Sequence, residues 1–318
     1  LDLQVLWYLF QFSPDYVQGE YAPFFENPST YNGPSQTDQG LMDLFVKGRD
    51  YTPADLTYVI DQQHSHMANV LPMYSQLAAA GQVELTTTPY YHPIMPLLMM
   101  DGWTFEDGIR VNKDAWPDDV RTHLTNGMDL FEAELGFRPT GMWPSEQAVS
   151  PPMVQPVTDV GIQWMVSDEE ILAKSTTLGG GSIDVDDATQ LATPWIVEGD
   201  AGGEIAVIFR DRVISDRVAF QYGSMTPEAA VSDFLSYLDG VRSDLLAAGE
   251  DPSEHLLTVA MDGENWMFMS EFQHTDNARP FVHEWYSRLE SHPTVVTTTP
   301  SAFLEKNLTL PQIETIGT

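Results

Sequence analysis

The stretch "GMWPSEQAVS" (141–150) sets Glu146 directly behind a Trp-Pro-Ser run, at the expected end of a strand. Glu146 has two readings: a loop acid in the first turn of the next helix, where negative charge is favourable, or a reactive carboxylate. Similar chemistry recurs behind other short apolar runs. "PYYHPIMPLL" carries Tyr91 and His92, "SDEE" carries Asp168, "FRDR" carries Arg210 and Asp211, and "MDGENW" carries Asp262, Glu264 and Trp266. Carboxylates and an arginine mixed with Tyr and Trp suit sugars, whose rings stack on aromatic faces and whose hydroxyls bond to charged groups. Cleaving a glycosidic bond needs two carboxyl groups with opposed roles, one attacking or activating water and the other protonating the leaving oxygen. Spacing alone does not say which two pair.

These groups need a scaffold that gathers them. Val/Ile-rich runs at Val83–Thr88, Gly141–Pro144, Gln163–Ser167, Ile205–Arg210, Leu256–Met261 and Thr294–Thr298 read as strands. Helices fit between them. Thr52-Pro53 and Thr226-Pro227 are start signals with proline at the first helical position, and Gly249 is a stop. Pro72 is expected to kink or divide the first of these helices. Further helices fit Asp118–Leu135, Pro151–Val160 and Pro280–Glu290. Alternating strands and helices predict a parallel sheet or an α/β barrel, in which functional groups collect at the C-terminal strand ends. "NPSTYNGPSQTDQG" (27–40) and "LGGGSIDVDD" (178–187) read as loops; the second lacks calcium-loop spacing.

Composition narrows the partners. The chain has 318 residues, enough for one large domain, and no cysteine, which excludes disulfides and thiolate metal sites. Its 47 Asp and Glu against 14 Lys and Arg give a net charge of −33, which repels nucleic acid and anionic membranes. An acid load with so little lysine also suggests a surface adapted to high salt. No apolar run reaches transmembrane length. The opening "LDLQVLWYLF" is amphipathic, lacks an initiator Met and reads as the interior of a longer chain. His64 and His66 lie two apart on a helix and do not share a face as metal ligands should.

In one order, "GQVELTTTPYYHPIMPLL" (81–98), "GMWPSEQAVS", "WMVSDE" (164–169), "FRDRVISD" (209–216) and "MDGENW" (261–266) resemble the motifs of glycoside hydrolase family 57, most closely its α-amylase and amylopullulanase branch. The resemblance implies an incomplete (β/α)7 barrel acting on α-glucans with retention, without a cofactor. It makes Glu146 the nucleophile and Asp262 the general acid/base, with Glu264 as the rival acid or an orienting neighbour. His92, Asp168, Arg210 and Asp211 fall in motifs lining the same cleft; an Arg210–Asp211 ion pair or a structural hydrogen bond of His92 are the alternatives. Tyr91, Trp143 and Trp266 are the expected sugar contacts. The family's His-Gln-Pro motif is absent, so the first two barrel strands are expected to be missing, with residues 1–12 in a following helix. The chain stops at "IETIGT", where the family continues into a helical region, and Asn265 and Trp266 are adjacent where the family has a residue between them. Glucanotransferase or branching activity shares the first half-reaction. A non-catalytic glucan-binding protein is a rival from another class. A metal-dependent deacetylase would need an Asp/His ligand set that the histidine pattern does not offer.

Overall fold

A computed structural model describes residues 1–9, 11–12, 39–100, 103–104, 110–111, 114–263, 265, 279–306 and 309–317. The described chain divides into two compact units, residues 1–84 with 134–136 and residues 85–133 with 137–318.

The first unit is helical: α1 (Asp2–Leu9), α2 (Gln39–Lys47) and α3 (Pro53–Ala79). Helix α1 agrees with the expected helix over residues 1–12. Val5 and Leu9 of α1 pack with Leu41, Leu44, Tyr51 and Val59. The Asp2 carboxylate accepts from the backbone N–H of Tyr51 and Asp50, and these bonds hold it below the usual carboxylate range. Thr52 starts α3 through a capping box: Thr52 Oγ1 accepts from Asp55 N–H, and Asp55 Oδ2 accepts from Thr52 N–H. The expected break at Pro72 does not occur; α3 runs through this exposed proline without interruption.

The second unit opens with α4 (Met95–Met99), an antiparallel pair β1 (Trp103–Thr104) and β2 (Arg110–Val111), and α5 (Pro117–Leu135). The main sheet follows: β3 (Gly141–Met142), β4 (Trp164–Asp168), β5 (Thr176–Thr177), β6 (Trp195–Glu198), β7 (Glu204–Arg210) and β8 (Gln312–Thr315), in the order β3-β4-β7-β6-β8-β5. Strands β3, β4 and β7 are mutually parallel. Two extended segments continue the parallel run, since Thr87 bridges Met142 and Thr258 bridges Arg210. The expected strands at Val83–Thr88 and Leu256–Met261 thus each pair through a single bridge. Residues 295–298 show no strand pairing among the described residues, against the strand expected at Thr294–Thr298. Strand β6 runs antiparallel to β7, and β8 lies parallel beyond it.

Alternation along β7 divides the core. Ile205, Val207 and Phe209 face Met142, Met165, Met153 and Val157, with the last two from α6 (Pro151–Asp159). Ala206 and Ile208 pack on the other face with Trp164, Leu304 and Leu310. A strand apolar on both faces is what a helix-covered parallel sheet requires. After the sheet ends come α7 (Glu169–Ala173), α8 (Ala188–Leu191) and α9 (Arg212–Asp216), which continues into a π-helical turn at Arg217–Gln221. The long α10 (Pro227–Ala248) is capped by Thr226 and stopped by Gly249 at φ 86°, as the punctuation signals. It packs on α11 (Arg279–Glu290) through Phe234, Phe281 and Trp285; α12 (Pro300–Leu304) completes the helices.

Candidate active site

Five parallel segments lie side by side in chain order, marked by Thr87, β3, β4, β7 and Thr258. Their C-terminal ends carry Tyr91 and His92, then Glu146, then Asp168, then Arg210 and Asp211, then Asp262. One edge of the sheet therefore collects the residues that the sequence singles out.

The first two ends meet. His92 Nε2 lies 3.4 Å from Glu146 Oε1, and Thr88 Oγ1 lies 3.1 Å from His92 Nδ1. Both side chains are presented from strained backbone. Tyr91 and His92 have φ 61° and 54°, and Glu146 and Gln147 have φ 56° and 57°. Left-handed conformations in consecutive non-glycine residues are rare, cost of order 1–3 kcal/mol each, and cluster at functional sites. Surrounding bonds hold both turns. Gln147 N–H donates to Pro144 O at 2.8 Å, and Ser167 Oγ donates to Gln147 O at 2.8 Å. Tyr90 N–H donates to His123 O of α5 at 3.1 Å. Gly127 admits this approach, since a Cβ there would stand 3.0 Å from Thr88 O and 3.3 Å from Tyr90 N. Gly141 serves the neighbouring end in the same way, because a Cβ there would strike the Trp164 ring.

The outcome is an open carboxylate. The Glu146 side chain is 70% exposed. Tyr91 is 84% exposed, with its ring edge-on to His123 at 6.2 Å. Trp143 is half-buried, and its backbone N–H donates to Thr87 O at 2.8 Å.

The next two ends are tied to each other. Arg210 Nε donates to Asp168 Oδ2 at 2.6 Å, and Arg210 also reaches Asp216 Oδ1 at 3.5 Å and Ala260 O at 3.3 Å. Asp168 caps α7 by accepting from Glu170 N–H at 2.9 Å. Arg210 thus pairs with Asp168 and not with its sequence neighbour Asp211. Asp211, expected to line the cleft, is 3% exposed with both carboxylate oxygens occupied. It accepts from Ile214 N–H at 3.1 Å as the cap of α9 and from the Tyr237 hydroxyl at 2.6 Å. Burial and the Asp211 carboxylate push the Tyr237 phenol well above its usual range.

Asp262 is exposed at the fifth end, its carbonyl accepting from Asn265 N–H at 3.1 Å. Two strands stand between its segment and that of Glu146, so the two segments are three interstrand spacings of about 4.8 Å apart along the sheet. Glu264 and Trp266 lie outside the described residues. Most of the 27–40 loop does too.

Two participants had no signal in the sequence. Thr88 is the last of three threonines, and nothing distinguishes it from the others. Glu169 looks like a surface acid of "SDEE", yet it is half-buried, with Oε2 accepting from Arg212 N–H at 2.8 Å. Burial raises its pKa, the backbone bond from Arg212 opposes the rise, and the charges of Asp211 and Asp168 add to it. Among the described residues no group of three or more His, Asp or Glu could hold a metal ion.

Comparisons with known proteins identify the family and the fold. The α-amylase of Pyrococcus abyssi is 21% identical over 251 residues, which cover 78% of this chain and 31% of that protein. Among solved structures, the α-amylase AmyC of Thermotoga maritima superposes with a TM-score of 0.64 at 11% identity, covering 100% of this chain and 63% of its own. A GH57 branching enzyme of Thermococcus kodakaraensis gives 0.61 at 15% identity, over 95% and 59% of the two chains. The 4-α-glucanotransferase of Thermococcus litoralis gives 0.55 at 17%, over 98% and 39%. The chain thus spans about a third of the curated relative that it matches. The model of glycosyl hydrolase family 57 matches residues 4–315, nearly the whole sequence, and to that family this chain belongs.

Proposed function

We propose that this chain carries the catalytic centre of a retaining enzyme acting on α-1,4-linked glucans, with α-1,6 linkages the second substrate to assay. The observation that carries this reading is Glu146 itself: a solvent-open carboxylate on a left-handed turn at a parallel strand end, facing His92 at 3.4 Å. Strained backbone under an open acid is hard to account for by stability, and it suits a group aimed at a ligand. In this reading the five ends form an arc of the family's incomplete (β/α)7 barrel. Retaining chemistry requires the two carboxyl groups to stand roughly 5–5.5 Å apart, so in this reading both side chains reach inward across the arc.

Glu146 attacks the anomeric carbon while Asp262 delivers its proton to the departing glycosidic oxygen, giving a covalent glycosyl-enzyme. Asp262, now ionised, takes a proton from water as the water oxygen attacks the same carbon; the Glu146–sugar bond breaks and Asp262 is reset. If a sugar hydroxyl replaces water, the same cycle transfers the chain. Two of the similar structures are transferases, a glucanotransferase and a branching enzyme, so transfer is the second outcome to assay. Tyr91 and Trp143 offer stacking surfaces, and Trp266 and Glu264 are assigned to the same cleft. His92 serves Glu146, and Asp168 with Arg210 holds the cleft wall. Asp211 supports α9 from beneath.

The test is Glu146→Gln in the full-length protein. Reducing-sugar release and oligosaccharide transfer from maltoheptaose should fall by at least about 1000-fold, while calorimetric binding of maltoheptaose persists. Turnover near the wild-type rate would remove Glu146 as nucleophile; binding without turnover in the wild type would favour a glucan-binding role.

A further inference from the structure

The imidazole of His92 stands between a hydroxyl and a carboxylate. Thr88 Oγ1 is 3.1 Å from Nδ1, and Glu146 Oε1 is 3.4 Å from Nε2. No other hydrogen bond to the ring is present among the described residues. The three partners constrain one another. An ionised carboxylate offers only lone pairs, so the nitrogen facing it must carry hydrogen or the two groups repel. A hydroxyl can donate or accept, and toward a bare ring nitrogen it donates. With the proton on Nε2 of a neutral ring, Nδ1 has a lone pair, and the Thr88 hydroxyl satisfies it by donating.

We propose that Thr88 is a positioning residue for Glu146: by donating to Nδ1 it reinforces the Nε2–H tautomer of His92 that the carboxylate also favours, and the hydrogen on Nε2 fixes Oε1 and leaves Oε2 free to react. The tautomer choice stands on geometry alone; its catalytic consequence rests on the reading of Glu146 as nucleophile.

The surroundings support a preset relay. The backbone N–H of His92 donates to Pro89 O at 2.8 Å, closing the tight turn that carries the ring. Helix α5 braces that turn through the His123 carbonyl and the close approach at Gly127. The two residues whose side chains meet, His92 and Glu146, are each half of a left-handed pair. A fold that retains strain at both partners keeps their separation fixed, and the hydroxyl behind the ring then reinforces the hydrogen on the nitrogen that faces the acid. At 3.4 Å the contact is longer than an ordinary hydrogen bond, as is common for catalytic contacts that tighten when substrate binds.

The experiment pairs Thr88→Val, which deletes the hydroxyl at nearly constant shape, with Thr88→Ser, which keeps it. In 15N-histidine-labelled protein at a pH where the ring is neutral, long-range 15N–1H correlation should show wild-type His92 wholly as the Nε2–H form. The valine variant should show a mixture with the Nδ1–H form, and the serine variant should restore the wild-type pattern. A wild-type Nδ1–H ring, or a valine spectrum identical to wild type, would overturn the assignment. With maltoheptaose, the valine variant should lose about tenfold in kcat at unchanged KM, and serine should recover most of the loss. A raised KM with unchanged kcat, or no rescue by serine, would show that Thr88 contacts substrate or only packs. Should Glu146→Gln retain turnover, the nucleophile reading falls, while the tautomer spectra still decide the role of Thr88.

Discussion

Asp168 and Arg210 are directly opposed partners in the ladder between β4 and β7, and their side chains close to 2.6 Å at the end of that ladder. Both are mostly shielded from water. Arg210 extends from there to Asp216 and to the carbonyl of Ala260, two positions before Asp262. One guanidinium thus joins the third, fourth and fifth strand ends, which a lysine's point charge could not do. Arg210→Ala should cost about 2–4 kcal/mol in urea unfolding, because Asp168 loses its counter-ion in a shielded place. Activity should fall further than the stability loss explains, since the segment leading to Asp262 loses an anchor.

Glu169 gives a pH-dependent prediction. Burial, first, and the charges of Asp211 and Asp168 raise its pKa in the folded protein. The protonated form is therefore favoured by folding, and this contribution, present below the unfolded value of about 4.3, is lost as pH rises through the raised native value. Glu169→Gln keeps an acceptor for the Arg212 N–H without the charge. Its melting temperature should match wild type below the unfolded value, exceed it increasingly as pH rises through the raised native value, and hold a constant excess above it. A difference that does not vary across the whole range would count against the burial argument.

Gly127 is remote from the reacting groups in sequence but not in effect. Alanine there favours the helix by about 1 kcal/mol. Its Cβ also meets Thr88 O at 3.0 Å and Tyr90 N at 3.3 Å, so the turn that carries His92 must shift by a few tenths of an ångström. Gly127→Ala should change the melting temperature little while lowering kcat severalfold, as steady-state kinetics beside calorimetry would show.

The net charge of −33 implies self-repulsion that salt screens. The melting temperature should rise on the order of 5 °C between about 0.1 and about 2 M NaCl, beyond the rise for a neutral protein of similar size. A flat response by differential scanning calorimetry would remove the expectation of a high-salt surface.

What the sequence disclosed was local. Thr52-Pro53, Thr226-Pro227 and Gly249 act through bonds within four residues, so their meaning does not depend on the rest of the fold. Apolar runs ending in polar groups placed His92, Glu146, Asp168, Arg210 and Asp262 along one sheet edge for the same reason. Pairing between distant segments was less visible. Strand β8 finds β6 across more than a hundred residues, whereas the β-branched run 294–298 finds no partner among the described residues, because strand propensity depends on context. The antiparallel β6–β7 hairpin did have a signal, two apolar runs flanking "GDAGG". Asp211 and Asp168 look alike in sequence, and burial separates them. Still, an acid three residues before Ile214 at a helix start is itself a capping signature.

The left-handed residues at 91, 92, 146 and 147 bear on any attempt to make this protein hardier. A survey of backbone angles would nominate Tyr91 and Gln147, the neighbours of the two facing groups, for glycine or asparagine, and each such change would relieve unfavourable geometry. The expected yield is a higher melting point and a poorer catalyst, because the discomfort being relieved is what keeps the histidine and the acid face to face.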